Sequence, residues 1–194
     1  MIAIGTSSAK SLNMIPAIPK ALGEVMVRHL QAGDYAAYIA LERDSAVKKF
    51  VSGPTSKSDA ELLGDLSRYE PTTEVMAIAQ TTSNAFIGRC GLLPTNNVFE
   101  VEIYCLLAQA HWRKGICGIV VPFLANLVST QGKVAVGIVD PQNQGSLALL
   151  KKLGWIFVGT VRDSGKQHGH MRFVEPQLFG YDPTQTQTLL NVSD

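Results

Sequence analysis

The chain has 194 residues, 46% hydrophobic and 17% charged, and its 17 basic and 16 acidic side chains leave a formal net charge of +1. That length suits one domain with a sizeable core, and the composition excludes a disordered chain. The charge balance gives no global basis for a nucleic-acid or anionic-membrane partner, so any anion site must be local.

Residues 1–23 mix Ser, Gly and two prolines and read as an irregular arm. Glu24 to Leu30 alternates as a first strand. Asp34 reads as the N-cap of a helix carrying Tyr35, Tyr38, Ile39 and Glu42, and Lys48-Lys49 as a solvated helix face. Ser52-Gly53-Pro54 interrupts it, and Ser58 with Glu61 forms a capping box opening a helix with Leu62, Leu63 and Leu66. Glu74–Gln80 and Ala85–Leu93, separated by Thr81 to Asn84, predict a β-hairpin. Pro94 to Asn97 turns into a strand, Phe99 to Leu107. A helix from Ile116 to about Thr130 stops at Gln131-Gly132, and Lys133–Val139 is again a strand. Strand, helix and strand in that order predict a parallel pair. After the turn Asp140-Pro141-Gln142-Asn143 comes a helix with Leu147, Leu150 and Leu153 on one face, ended by Lys151, Lys152 and Gly154. Trp155–Val161 and His168–Val174 close the pattern as a hairpin across Asp163-Ser164-Gly165, and 176–194 is a polar tail with no assigned element.

Cys90, Cys105 and Cys117 are odd in number and lack metal-ligand spacing, which argues against a disulfide framework and for the reducing cytosol. The N-terminal stretch lacks a continuous apolar signal region. The longest apolar run, Ile116 to Val128, is broken by Gly118, Pro122 and Asn126 and is too short to cross a bilayer.

The chemistry concentrates at Glu102 to Gly118. Two glycines at a strand-to-helix junction let backbone approach a ligand, and a helix start offers unpaired N–H groups carrying partial positive charge. Arg113 and Lys114 add charge beside Gly115, Ile116, Cys117 and Gly118, so the junction suits a phosphate. The plain alternative is a tight turn with a solvated basic face. On the preceding strand, alternation puts Glu100, Glu102 and Tyr104 on one face and Phe99, Val101 and Ile103 on the other. An ordinary polar sheet face is the bland reading of those carboxylates.

Trp112-Arg113-Lys114-Gly115-Ile116-Cys117 resembles the acetyl-CoA loop of the GNAT acetyltransferases, Gln/Arg-x-x-Gly-x-Gly/Ala. Asp140 to Ser146, followed by Lys152-Leu153-Gly154-Trp155, resembles the family's second segment. Val101-Glu102-Ile103, His111-Trp112, Asn143 and Ser146 resemble the branch that acetylates ribosomal-protein N-termini, with its small-molecule relatives. The likeness covers roughly Glu24 to Val174. The chain departs from the pattern with Trp112 at a Gln/Arg position, Cys117 at a Gly/Ala position and Pro122 inside the helix. Leu150 stands where many members carry a general-acid tyrosine.

The resemblance implies an α/β (α+β) fold: a central mixed, mostly antiparallel sheet of about six or seven strands with one parallel pair, flanked by about four helices. It places one acyl-CoA N-acyltransferase domain at 24–175, between an arm at 1–23 and a tail at 176–194. It implies direct transfer of acetyl from acetyl-CoA to a primary amine in a ternary complex, without a metal. The acceptor is a small molecule or a protein N-terminus, and a homodimer is left open. A GNAT fold that holds acyl-CoA without turnover is the alternative. Arg113 to Gly118 would anchor the pyrophosphate. The strand near Leu106 and Leu107 would hold the pantetheine arm and give an N–H to the thioester oxygen, where negative charge develops. Asn143 would contact pantetheine, against the commoner use of such an Asn as a helix cap. Glu102 is the first candidate base, and Ser146 the candidate to protonate or hydrogen-bond the sulfur, against a local backbone bond. His168 and His170 share a strand face that could approach the amine, though lone histidines on a closing hairpin are more often surface residues. Cys117 is not expected to be a nucleophile, since direct transfer needs no acyl-enzyme.

Overall fold

The computed structural model describes residues 18–69, 73–161 and 170–175. Residues 1–17, the tail 176–194, the Asp163–Gly165 turn and His168 lie outside them. A single sheet carries eight strands: β1 (Lys20–Leu22), β2 (Val25–His29), β3 (Met76–Gln80), β4 (Phe86–Pro94), β5 (Glu100–Leu107), β6 (Val134–Val139), β7 (Ile156–Val161) and β8 (His170–Val174). Their order is β1-β2-β3-β4-β5-β6-β8-β7. All neighbours are antiparallel except β5 and β6. The helices are α1 (Tyr35–Arg43), α2 (Ser45–Lys48), α3 (Asp59–Tyr69), α4 (Ile116–Ser129) and α5 (Gln144–Lys152).

Among the described residues one pair is parallel, matching the strand–helix–strand expectation, and β3 with β4 and β7 with β8 pair antiparallel where two hairpins were expected. The sheet exceeds the expected strand number partly because Lys20–Leu22, read as the end of an irregular arm, pairs with β2. The fifth helix arises at Asp44, whose extended backbone (φ −71°, ψ 110°) stops α1 and whose carboxylate accepts from the Ala46 and Val47 N–H groups to start α2.

The core lies mainly between the sheet and α4. Val120, Leu124 and Val128 recur at four-residue spacing and are fully buried against Val101, Ile103 and Leu107 of β5. Each such side chain contributes about 1.5–3 kcal/mol by leaving water. Pro122 faces solvent inside α4, where it removes the donor for the Gly118 carbonyl without ending the helix. Leu30, Tyr38, Leu66, Val75 and Ala77 form a smaller core under α1 and α3.

Three polar residues differ from their sequence-based reading. Asp34 occupies the N-cap position of α1, but its side chain makes no cap bond: its carboxylate takes Arg28 Nη1 and Nη2 at 2.6 and 3.0 Å and the Gln31 N–H at 2.8 Å. Lys48 is no solvated lysine; it is 3% exposed and ion-paired to Glu42 at 2.7 Å. Glu100 is not on an open polar face, because Arg172 of β8 reaches it at 2.5 Å in a buried pair. In each case a charged side chain leaves water only where an opposite charge is supplied. The Ser58–Glu61 box forms as expected, with Ser58 N–H donating to Glu61 Oε2 and Glu61 N–H to Ser58 Oγ.

Candidate functional site

The site begins where two strands separate. The β5–β6 pairing runs only from Glu100↔Val134 to Glu102↔Val136, although β5 continues to Leu107 and β6 to Val139. Phe99 C=O accepts from Val134 of β6, whereas Ala108 N–H donates to Ile87 before β4. Strand alternation therefore turns the backbone groups of Ile103, Cys105 and Leu107 towards the gap. Leu106 pairs back towards Arg89 of β4, so it lines the gap by its side chain rather than by a free N–H. Trp112 Nε1 donates to the Leu107 carbonyl at 2.7 Å, which leaves Leu107 its N–H and fastens the following loop to the strand end.

That loop makes a short helical turn at Gln109–His111 and then passes through positive φ at Arg113 (60°) and Gly115 (78°). Gly115 is the N-cap of α4, and no side chain caps the helix. The first-turn N–H groups of Ile116, Cys117 and Gly118 are thus left for a ligand. Nothing lies within 4 Å of a Cβ built on Gly115, and only Leu149 Cδ1, at 3.8 Å, meets one built on Gly118. Arg113 and Lys114 are exposed, with no ion pair among the described residues. Gln109 Nε2 donates to both Asp44 carboxylate oxygens at 2.8 and 3.0 Å, tying the loop to the start of α2 and holding that carboxyl below its usual range.

A cleft of about 1110 Å³ passes through the opening between the strands. Glu102, Leu106, Cys117, Asn143 and Ser146 all line it. Arg113, Lys114, Gly115 and Gly118 stand outside its lining, while Lys114 and Ile116 border a second cavity of about 410 Å³. Asn143 caps α5 with Oδ1, which accepts from Ser146 N–H at 3.1 Å, so the plain reading holds and Nδ2 remains to donate. Ser146 Oγ makes no local backbone bond among the described residues. Glu102 has neither an ion pair nor a hydrogen bond to the described residues, and burial raises its pKa.

Other residues lining the same cleft carry no local sequence signal. Glu42 takes Lys48 Nζ on one oxygen and Arg89 Nε on the other, each at 2.7 Å. Arg89 stacks over the Tyr104 ring at 4.9 Å. Tyr104 donates its hydroxyl to the Glu74 carbonyl, and burial pushes its pKa up. His170 is 6% exposed and lines the cleft, contrary to the surface reading of the closing hairpin. Leu150 is buried in the core and also lines the cleft.

Residues 24–156 match the model of an acetyltransferase (GNAT) domain. A comparison with curated protein sequences finds no match. Among solved structures, the spermidine N-acetyltransferase from Vibrio cholerae in complex with CoA and spermine is similar at TM-score 0.68 and 16% identity, over 78% of this chain and 95% of that one. An acetyltransferase from Agrobacterium tumefaciens str. C58 is similar at TM-score 0.67 and 20% identity, over 85% and 98%. A putative acetyltransferase from Salmonella typhimurium with acetyl-CoA aligns at TM-score 0.62 and 17% identity, over 82% and 97%.

Proposed function

The chain belongs to the GNAT acetyltransferase family, and on that premise we propose that it moves acetyl from acetyl-CoA directly to a primary amine. One observation carries the reading: β5 and β6 part beside the uncapped N-terminus of α4, so a free strand edge and a phosphate-ready helix start adjoin. Open space over Gly115 and Gly118 fits a diphosphate, and the cleft fits an extended thiol arm. Acetyl-CoA supplies the acetyl group as an activated thioester.

The first-turn N–H groups of Ile116, Cys117 and Gly118 hold the diphosphate, with Arg113 and Lys114 adding charge at the rim. Backbone N–H groups of Cys105 and Leu107 serve the arm and the developing oxyanion. Asn143 Nδ2 orients the arm, and Ser146 Oγ donates towards the sulfur. Glu102 takes the proton from the amine, directly or through one water. A carboxyl raised by burial suits an α-amino group, near pKa 8, better than a lysine near 10.4. That favours a protein N-terminus or a small molecule with a weakly basic amine as acceptor. Leu150 in place of a general-acid tyrosine, and Cys117 at a Gly/Ala position, favour the second reading, an acyl-CoA-binding module without turnover.

A thermal-shift titration with acetyl-CoA, followed by a free-thiol release assay over peptides, aminoglycosides and polyamines, tests the proposal. Stabilisation with amine-dependent thiol release is expected. Stabilisation without release from any amine selects the binding module, and stabilisation by neither acetyl-CoA nor CoA sinks both.

A further inference from the structure

Cys105 of β5 and Cys117 of α4 bring their sulfurs to 3.2 Å, both half-buried and both lining the cleft. Three cysteines, an odd number, argue against a disulfide framework. Yet the parting of β5 from β6 leaves the strand's Cys105 beside the second residue of α4. Closing from this contact to a bond of about 2.05 Å needs a movement of only about 1 Å. We propose that Cys105 and Cys117 are a reversible redox pair, which a hydroperoxide entering the cleft converts to a disulfide pinning the first turn of α4 to the free edge of β5.

The two thiols are unequal in a way that suits this chemistry. Either sulfur can donate in this contact; with Cys105 as the donor, the bond lowers the pKa of the Cys117 thiol, while the same bond and burial raise that of Cys105. The start of α4 adds its partial positive charge at Cys117. The Cys117 thiolate attacks one peroxide oxygen, the O–O bond breaks, and the departing oxygen leaves as an alcohol or water after taking a proton. Cys105 then attacks the sulfenic sulfur, forms the S–S bond, and its proton leaves with the hydroxyl as water. Each sulfur loses one electron, and the peroxide gains two. Cys90, the cross-strand neighbour of Cys105, is fully buried with its thiol pKa raised by burial, so it is the poorer partner.

The disulfide would narrow the same opening that the proposed function assigns to acyl-CoA, so the functional consequence rests on that reading. The test treats the full chain with hydrogen peroxide, maps its disulfides under non-reducing conditions, and repeats the map after dithiothreitol. A Cys105–Cys117 linked peptide that dithiothreitol removes, absent in Cys105→Ser and Cys117→Ser and present in Cys90→Ser, is the expected result. Cysteines that stay separately alkylable after oxidation, or a link through Cys90, overturn the pair. Acetyl-CoA titrated onto reduced and oxidised chains separates the two ideas. Stabilisation in both states with no cysteine link removes the redox pair alone. A link without stabilisation of the reduced chain removes the acetyl-CoA reading alone.

Discussion

At the scale of residues, Glu100 and Glu102 show how two carboxylates on one strand face acquire different work. Arg172 meets the first, while the second faces the cleft with no described partner. Burial disfavours the charged form of Glu102, so the proton-accepting form is gained at a higher pH than for a solvated carboxyl. Acetyl transfer should therefore fall as pH drops through that raised value. Glu102→Gln should lower kcat by about 100-fold and remove this dependence on the carboxyl, read from kcat/KM against pH with an α-amino acceptor. The linkage has the opposite sign for folding. With the folded pKa raised, the native state binds more protons than the unfolded one between the two pKa values, and stability falls as pH rises through that window. Glu102→Gln should accordingly gain stability relative to the parent at neutral pH, compared with acid, in urea unfolding.

Elements transmit the site's geometry through their ends. Asn143 holds the first turn of α5, and Ser146 with it, by a single accepted bond. Asn143→Ala should cost about 1 kcal/mol in urea unfolding and also weaken acetyl-CoA binding; an unchanged affinity would remove Asn143 from the cofactor contacts. The Glu100–Arg172 pair bridges β5 to β8 across β6 on the paired side of the strand gap. Glu100→Ala should cost about 3 kcal/mol because it leaves Arg172 charged and buried. Replacing both residues by apolar ones should recover most of that loss, measured in the same unfolding assay.

The whole molecule brings Cys117 at the start of α4, the parted strands and the Glu42, Lys48 and Arg89 charges to one cleft. At about 100 times its dissociation constant, acetyl-CoA should add about 2.7 kcal/mol of stability. Gly118→Asp tests the cradle more cleanly than any change at Gly115, whose φ of 78° strains every side chain. An aspartate in the first turn favours the helix, and Leu149 leaves it room, but its charge opposes a diphosphate. That variant should keep its own melting temperature and lose the acetyl-CoA shift. A retained shift would relocate the phosphate site.

The sequence by itself determined what local chemistry controls. Alternation and apolar runs marked β2 to β8, Gly132 and Gly154 stopped α4 and α5 in left-handed turns, and Ser58 with Glu61 opened α3. Only the tertiary structure decided which partners were distant. A strand's period is the same whether its edge is paired or free, so the parting of β5 from β6 after Glu102 has no signature in residues 103–107. Nor does helix spacing show that Lys48 is consumed by Glu42, or that Glu42 also holds Arg89. His170 reads as surface until the sheet folds it into the cleft. Cys105 and Cys117 look unrelated until the strand edge and helix start meet, because contact across a fold depends on packing rather than on spacing along the chain.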